Sequence, residues 1–168
     1  MKNINKLFAI ALVVLGIATT SFAQVTGHAS TSATILTPIA ITKNTDMNFG
    51  NVAINNTTGT VILATNSARS LTGGITFPVL TGTVAAAKFT VTGETDATYS
   101  ISLPASVTLT NGTNSMIVDA FTSTPSATGA LTAGTQEIYV GATLNVGASQ
   151  VAGIYTNAAD LAVTVNYN

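Results

Sequence analysis

The chain has 168 residues, 46% of them hydrophobic and only 7% charged, with a formal net charge of −1, a single histidine and no cysteine. That length holds one domain with a sizeable core but not two comfortable ones. The charge balance excludes a basic face for nucleic acid or anionic lipid, and the absence of cysteine excludes disulfide stapling.

The chain opens with Lys2 and Lys6, an apolar run from Leu7 to Leu15, and Ser21-Phe22-Ala23. Small residues placed for signal peptidase after a short apolar run predict a secretory signal peptide over residues 1–23, cut between Ala23 and Gln24. The run is too short to span a bilayer, so a membrane anchor is disfavoured and no later segment predicts a span. The expected address is therefore outside the cytoplasm: periplasm, outer cell surface or medium. Without residues 1–23, Lys43, Arg69 and Lys88 stand against Asp46, Glu94, Asp96, Asp119, Glu137 and Asp160, a mildly acidic balance. Threonine is the commonest residue, so Thr, Ser, Asn and Gly must cover the surface. Low charge weakens protection against edge-to-edge strand pairing, which suits a protein meant to assemble.

Residues 24–37 are extended and weakly apolar, with Ala29, Thr31, Ala33 and Ile35 on one parity. Two readings stand for this segment: a first strand of the domain, or a donor strand that pairs with another molecule. His28, with no carboxylate beside it, is expected in solvent rather than as a metal ligand or base. From residue 38 to residue 168 the sequence predicts a β-domain. Ile39 to Thr42 reads as a strand, Phe49-Gly50 as a strand end in a bulge or sharp turn, Asn55 to Gly59 as a loop, and Thr60 to Thr65 as a strand. Gly73-Gly74 reads as a break. Ala87, Phe89 and Val91, then Tyr99, Ile101 and Leu103 across the turn Gly93 to Asp96, predict a hairpin of two paired strands.

Val107 and Leu109 predict a further strand, Asn111-Gly112 a tight turn, and Met116 to Phe121 the next strand, followed by a polar loop from Ser123 to Gly129. Ile138 with Val140, then Leu144 with Val146, read as two short strands hinged at Gly141. At the end, Leu161, Val163, Val165 and Tyr167 share one face of a strand whose other face is Ala162, Thr164, Asn166 and Asn168. That apolar edge needs cover. No stretch after residue 23 sustains a 3.6-residue apolar period, and short strands separated by unequal turns predict an all-β Greek-key sandwich.

Chemistry is sparse. One His and scattered acids offer no nucleophile with a base, no carboxylate pair and no metal cluster, so neither catalysis nor a cofactor is expected. Asp46, Asp96, Asp119 and Asp160 lie near turns, where they satisfy backbone donors. Tyr139, opposite in parity to Ile138 and Val140, is the one aromatic placed for a surface contact.

Three stretches together carry a resemblance: Asp46 to Gly50 as Asp-x-x-Phe-Gly, Phe89 through Leu103, and Gly153-Ile154-Tyr155 with the Leu161 to Tyr167 strand. In order and spacing they resemble domain of unknown function 4402, a secreted bacterial family similar to spore coat U and archaic chaperone-usher pilins. The resemblance implies an incomplete immunoglobulin-like sandwich, held first by a periplasmic chaperone and then by identical or related subunits. It implies that Leu161, Val163, Val165 and Tyr167 border an acceptor groove, with Tyr167 as the penultimate aromatic, and that residues 24–37 are the donor. The chain lacks the cysteines often found in the spore coat U pattern, and its donor residues are small. A self-complemented secreted binding module, an adhesin for glycan or matrix, is the alternative.

Overall fold

A computed structural model of the chain describes residues 23–157 and 161–168. The expected signal segment, apart from Ala23, and Asp160 lie outside the described residues. Residues 23–34 carry no strand, and each of them is exposed. From Ile35 onward the chain forms its own compact unit. Its strands are β1 (Ala40–Thr45), β2 (Asn48–Phe49), β3 (Ala53–Leu63), β4 (Arg69–Thr76), β5 (Val84–Ala85) and β6 (Ala87–Thr92), followed by β7 (Thr98–Ser102), β8 (Ser106–Asn111), β9 (Asn114–Thr124), β10 (Thr128–Ala130), β11 (Thr135–Val146) and β12 (Thr164–Tyr167). No helix occurs among the described residues. Thr and Val recur through the strands, and their branched Cβ favours the pleated, half-buried surface over a helix.

The long strand β11 organises the larger, seven-stranded sheet. It pairs with β6 through Thr135–Val140 and with β3 through Ala142–Val146, while β9 pairs with it from Tyr139 to Asn145. A strand has only two edges, so β6 and β3 follow one another along one edge and β9 takes the other. β1 extends the sheet beyond β6, β4 beyond β3 and β8 beyond β9. The smaller sheet has three strands in the order β10-β7-β12, and β2 pairs with β5.

Alternation along β11 turns Ile138, Val140, Ala142, Leu144 and Val146 inward, and all of them are buried. The first two join Phe89, Val91, Tyr99, Leu131 and Val165 in a core between the two sheets. The last three join Phe49, Val61, Leu63, Ile75 and Val118 in a second core. The protein is a β-sandwich. In an immunoglobulin-type sandwich one sheet runs A, B, E, D and the other contains C, F and G. Here β1, β6, β11 and β9 follow the first order, and β7 and β12 stand where C and F stand.

The structure corrects several local expectations. The strands β6 and β7 do not form a hairpin: β6 lies between β1 and β11 in one sheet, and β7 between β10 and β12 in the other. Their apolar faces meet across the core, and alternation fixes which way a side chain points without naming the strand beside it. The turn at Gly93 to Asp96 is a corner between sheets, with Asp96 at a φ of 60° and its N–H bonded to the Leu131 carbonyl at 2.8 Å. Nor does Gly141 hinge two strands. It lies inside the continuous β11, where any Cβ would run into the Leu63 carbonyl, so glycine there permits close packing.

Gly73-Gly74 likewise lies within β4, with Gly73 opposite Gly59. The Asn55–Gly59 segment bulges out of β3 between paired positions Ile54 and Gly59. The polar stretch Ser123–Gly129 is partly strand, taken up by the end of β9 and the start of β10. Phe49-Gly50 ends β2 at a φ of 69°, the sharp turn expected from sequence. Val118 and Phe121 are three residues apart, which should place them on opposite faces. Between paired positions Asp119 and Thr122, β9 has one residue more than β11 has between Gly141 and Thr143, and Ala120 takes up the bulge at a φ of 48°. The bulge returns Phe121 to the inward face, where it packs against both cores.

Leu63 is fully enclosed in the second core. Replacing it with alanine should lower unfolding free energy by about 2–5 kcal/mol, read as a lower urea midpoint with an unchanged denaturant slope.

Candidate functional site: an open edge beside an apolar groove

The last strand pairs with β7 alone, so one edge of β12 has no strand partner among the described residues. The place beside it corresponds to the G strand of an immunoglobulin-type sandwich. Asn168 N–H donates to the Thr98 carbonyl at 3.2 Å. Antiparallel pairing alternates the direction of backbone groups, so Thr164, Asn166 and Asn168 turn theirs toward β7 while Val165 and Tyr167 turn theirs to the open edge. The strand is shorter than the Leu161–Asn168 run, because Leu161 to Val163 lie outside it. Burial still alternates as expected: Leu161, Val163 and Tyr167 are half-buried, Val165 is buried, and the residues between them are exposed.

A groove of ≈ 930 Å³ opens in the sandwich, and Leu161, just before β12, is among its lining residues. Its floor is the inward face of the larger sheet, with Phe89, Leu109, Met116, Phe121 and Leu144. The segment Met47–Ile54 forms one wall, and the segment 150–157 with Leu161 forms the other. Met47, Ile54, Leu109, Met116 and Phe121 are only partly buried although they pack against the cores. The groove exists because the three-stranded sheet is too narrow to cover the wider one. Apolar surface left in water is unfavourable at about 25 cal/mol per Å², so an extended apolar segment lying there would be held.

Tyr167 is tied down at one end of the open edge. Its hydroxyl accepts the Glu94 N–H at 2.6 Å and donates to the Thr37 carbonyl at 2.7 Å. Thr37 N–H in turn donates to Glu94 Oε2 at 2.9 Å. The backbone N–H of Thr37 holds the Glu94 carboxyl below its usual range. This knot joins the final strand, the corner between the sheets and the root of residues 24–36. Sequence singled out Tyr167 but not Glu94 or Thr37, since contacts spanning 73 and 130 positions leave no local pattern. The groove floor was partly legible in the odd spacing of Val118 and Phe121, which requires a bulge if both are to face inward.

The remaining candidates fall elsewhere. Ala29, Thr31 and Ala33 lie in the strandless exposed segment, as does His28, and Ile35 is exposed at the start of the domain. Tyr139 is on the outward face of β11, where its hydroxyl donates to Glu137 Oε2 at 2.6 Å and Lys88 Nζ lies 5.5 Å from its ring centroid. Lys88 also pairs with Glu137 at 2.6 Å, which holds the Glu137 carboxyl down and the Lys88 amine up. Tyr139 is thus engaged in an ion-pair cluster away from the groove. Asp46 pairs with Lys43 at 2.6 Å. Among the described residues, no group of three or more His, Cys, Asp or Glu is placed to hold a metal ion.

Fold and site define a class: a β-sandwich whose last strand has one unpaired edge among the described residues and whose core opens into an apolar groove. The chain belongs to the family described as "Domain of unknown function (DUF4402)", whose profile matches residues 39–167. No curated protein and no solved structure matches it.

The knot predicts two measurements. Tyr167→Phe removes both hydroxyl hydrogen bonds and keeps the ring, so it should cost about 1–3 kcal/mol and speed hydrogen exchange at the Glu94 amide. The Glu94 pKa is lowered in the folded state, so its contribution is present above the unfolded carboxylate pKa and is lost as pH falls through the folded value. The NMR shift of the Thr37 amide should therefore titrate with a midpoint below the ordinary glutamate range, and Glu94→Gln should abolish that titration.

Proposed function

We propose that this protein is a secreted, non-enzymatic structural subunit, pilin-like, that joins a surface fibre or coat by strand addition. What supports the reading is the unpaired edge of β12 together with a ≈ 930 Å³ apolar groove that Leu161, three residues before that strand, helps to line. An incoming strand would meet outward backbone groups of Val165 and Tyr167 on one side and half-buried apolar side chains below. The natural occupant is residues 24–36 of another copy. Its alternating Gly27, Ala29, Thr31 and Ala33 are small enough for a shallow trough, and Ile35 supplies bulk at one end. β12 carries no charged residue, so it lacks the lysines that commonly guard a sheet edge. A groove of this kind must be covered before assembly, and a periplasmic chaperone lending a strand would serve. The signal-like residues 1–23 agree with export, and the sparse charge agrees with a surface that packs against its own kind.

The test is deletion of residues 24–36 from the mature chain. The intact protein should form multimers in size-exclusion chromatography and native mass spectrometry, and the truncated protein should remain monomeric while still binding a synthetic peptide of residues 24–36. An intact chain that stays monomeric at high concentration, or multimers that survive the deletion, would refute strand addition.

A further inference from the structure

The larger sheet also carries a hollow on its outward face, the side away from the groove. Register fixes what stands there. Tyr139 of β11 lies opposite Thr124 of β9, Gly141 opposite Thr122 and Thr143 opposite Asp119, and directly opposed residues of an antiparallel pair turn their side chains to the same face. Tyr139 and Thr143 share that face by the alternation of β11. The backbone of 63–65 crosses over Gly141, where a Cβ would come within 2.9 Å of the Ala64 carbonyl carbon. Between that crossing and the bulge at Ala120 is a hollow of ≈ 490 Å³, lined in part by Ile62, Thr65, Thr122, Thr124 and Thr143. Its size falls inside the range of about 300–1,000 Å³ typical of small-molecule sites.

The lining carries no charge, only aliphatic side chains and hydroxyls. A hydroxyl has one donor and two acceptor positions, so a cluster of them suits a ligand that is itself rich in both. Thr65 and Thr124 share one hydrogen bond at 3.0 Å, which leaves both oxygens able to accept more. A phosphate, carboxylate or ammonium group entering the hollow would lose hydration and meet no counter-charge. A neutral sugar ring meets both conditions, with hydroxyls for the threonines and C–H groups for Ile62, which is 42% exposed. Tyr139 stands across from Thr124 on the same face, four residues from Thr143 or roughly 13 Å at ~3.3 Å per residue. The hydrogen bond from its hydroxyl to Glu137 fixes the ring, whose negative face attracts C–H groups.

We propose that this hollow binds a neutral oligosaccharide, with one sugar ring among the threonines and the next against Tyr139. The site lies on the opposite face of the sheet from the groove, so a segment held in the groove leaves it open. It therefore stands apart from strand addition and gives the protein an adhesive function beside the structural one.

The test is an NMR titration of the isotope-labelled mature chain. The probes are the methyl glycosides of glucose, galactose, mannose and N-acetylglucosamine, and the disaccharides lactose, cellobiose and chitobiose. At least one probe of each kind should shift the amides of Thr65, Thr122, Thr124 and Thr143, with a monosaccharide Kd on the order of millimolar and a tighter disaccharide. Thr143→Val keeps the branched shape, removes the hydroxyl and should weaken both kinds roughly tenfold. Tyr139→Ala should bring the disaccharide down to the monosaccharide level and leave the monosaccharide unchanged, while Tyr139→Phe should bind both as the parent does. Glucuronate and glucosamine should not bind. A folded chain in which no probe shifts the hollow, or in which the shifts map to the groove, would overturn the site. Equal binding of glucuronate would overturn the choice of neutral ligands, and a disaccharide indifferent to Tyr139→Ala would overturn the place of the second ring. Deleting residues 24–36 should change none of these results, so failure here and failure of strand addition are read separately.

Discussion

The mismatch in width between the two sheets is the constraint on which the rest depends. A seven-stranded sheet carrying a continuous inward apolar row cannot be covered by a three-stranded one. Along β11 the inward residues Ile138 and Val140 face Tyr99 and Val165 of the smaller sheet and are sealed. Further along the same strand, Leu144 and Val146 line the groove together with half-buried residues of β8 and β9. The core is therefore finished at one end and open at the other.

An open core and an open edge reinforce one another. Backbone N–H and C=O groups at an edge are satisfied by water, and an arriving strand replaces that water with protein hydrogen bonds at small net gain. Burial of the apolar trough supplies the driving force and the ladder supplies the register. The ion-pair cluster of Lys88, Glu137 and Tyr139 lies on the opposite face of the sheet, and the charged residues that line the trough, Lys43 and Asp46, pair with one another.

Fold class was readable from residue choice and alternation, because strand periodicity is local and survives without partners. The alternation of Leu161 to Tyr167 likewise foretold which side chains turn inward. Partnership was not readable. Phe89 and Tyr99 looked like neighbours in a hairpin, yet their strands belong to opposite sheets, because a short turn can close a hairpin or turn a corner and the apolar face is the same in both. Gly141 looked like a hinge because glycine is usually placed for bending, whereas here it makes room for a crossing carbonyl. The bonds of Tyr167 to Glu94 and Thr37 depend on three segments meeting in space, which no local pattern encodes.

The knot at Thr37 also has a mechanical side. A pull on residues 24–36 enters the folded unit immediately before β1, whose hydrogen bonds to β6 begin at Ala40 paired with Thr92. Without an anchor, such a pull would open that ladder one rung at a time, the weakest way to load a sheet. With Thr37 bonded to Tyr167 and Glu94, the load passes first into the final strand and the corner between the sheets, and several bonds must yield together before β1 starts to peel.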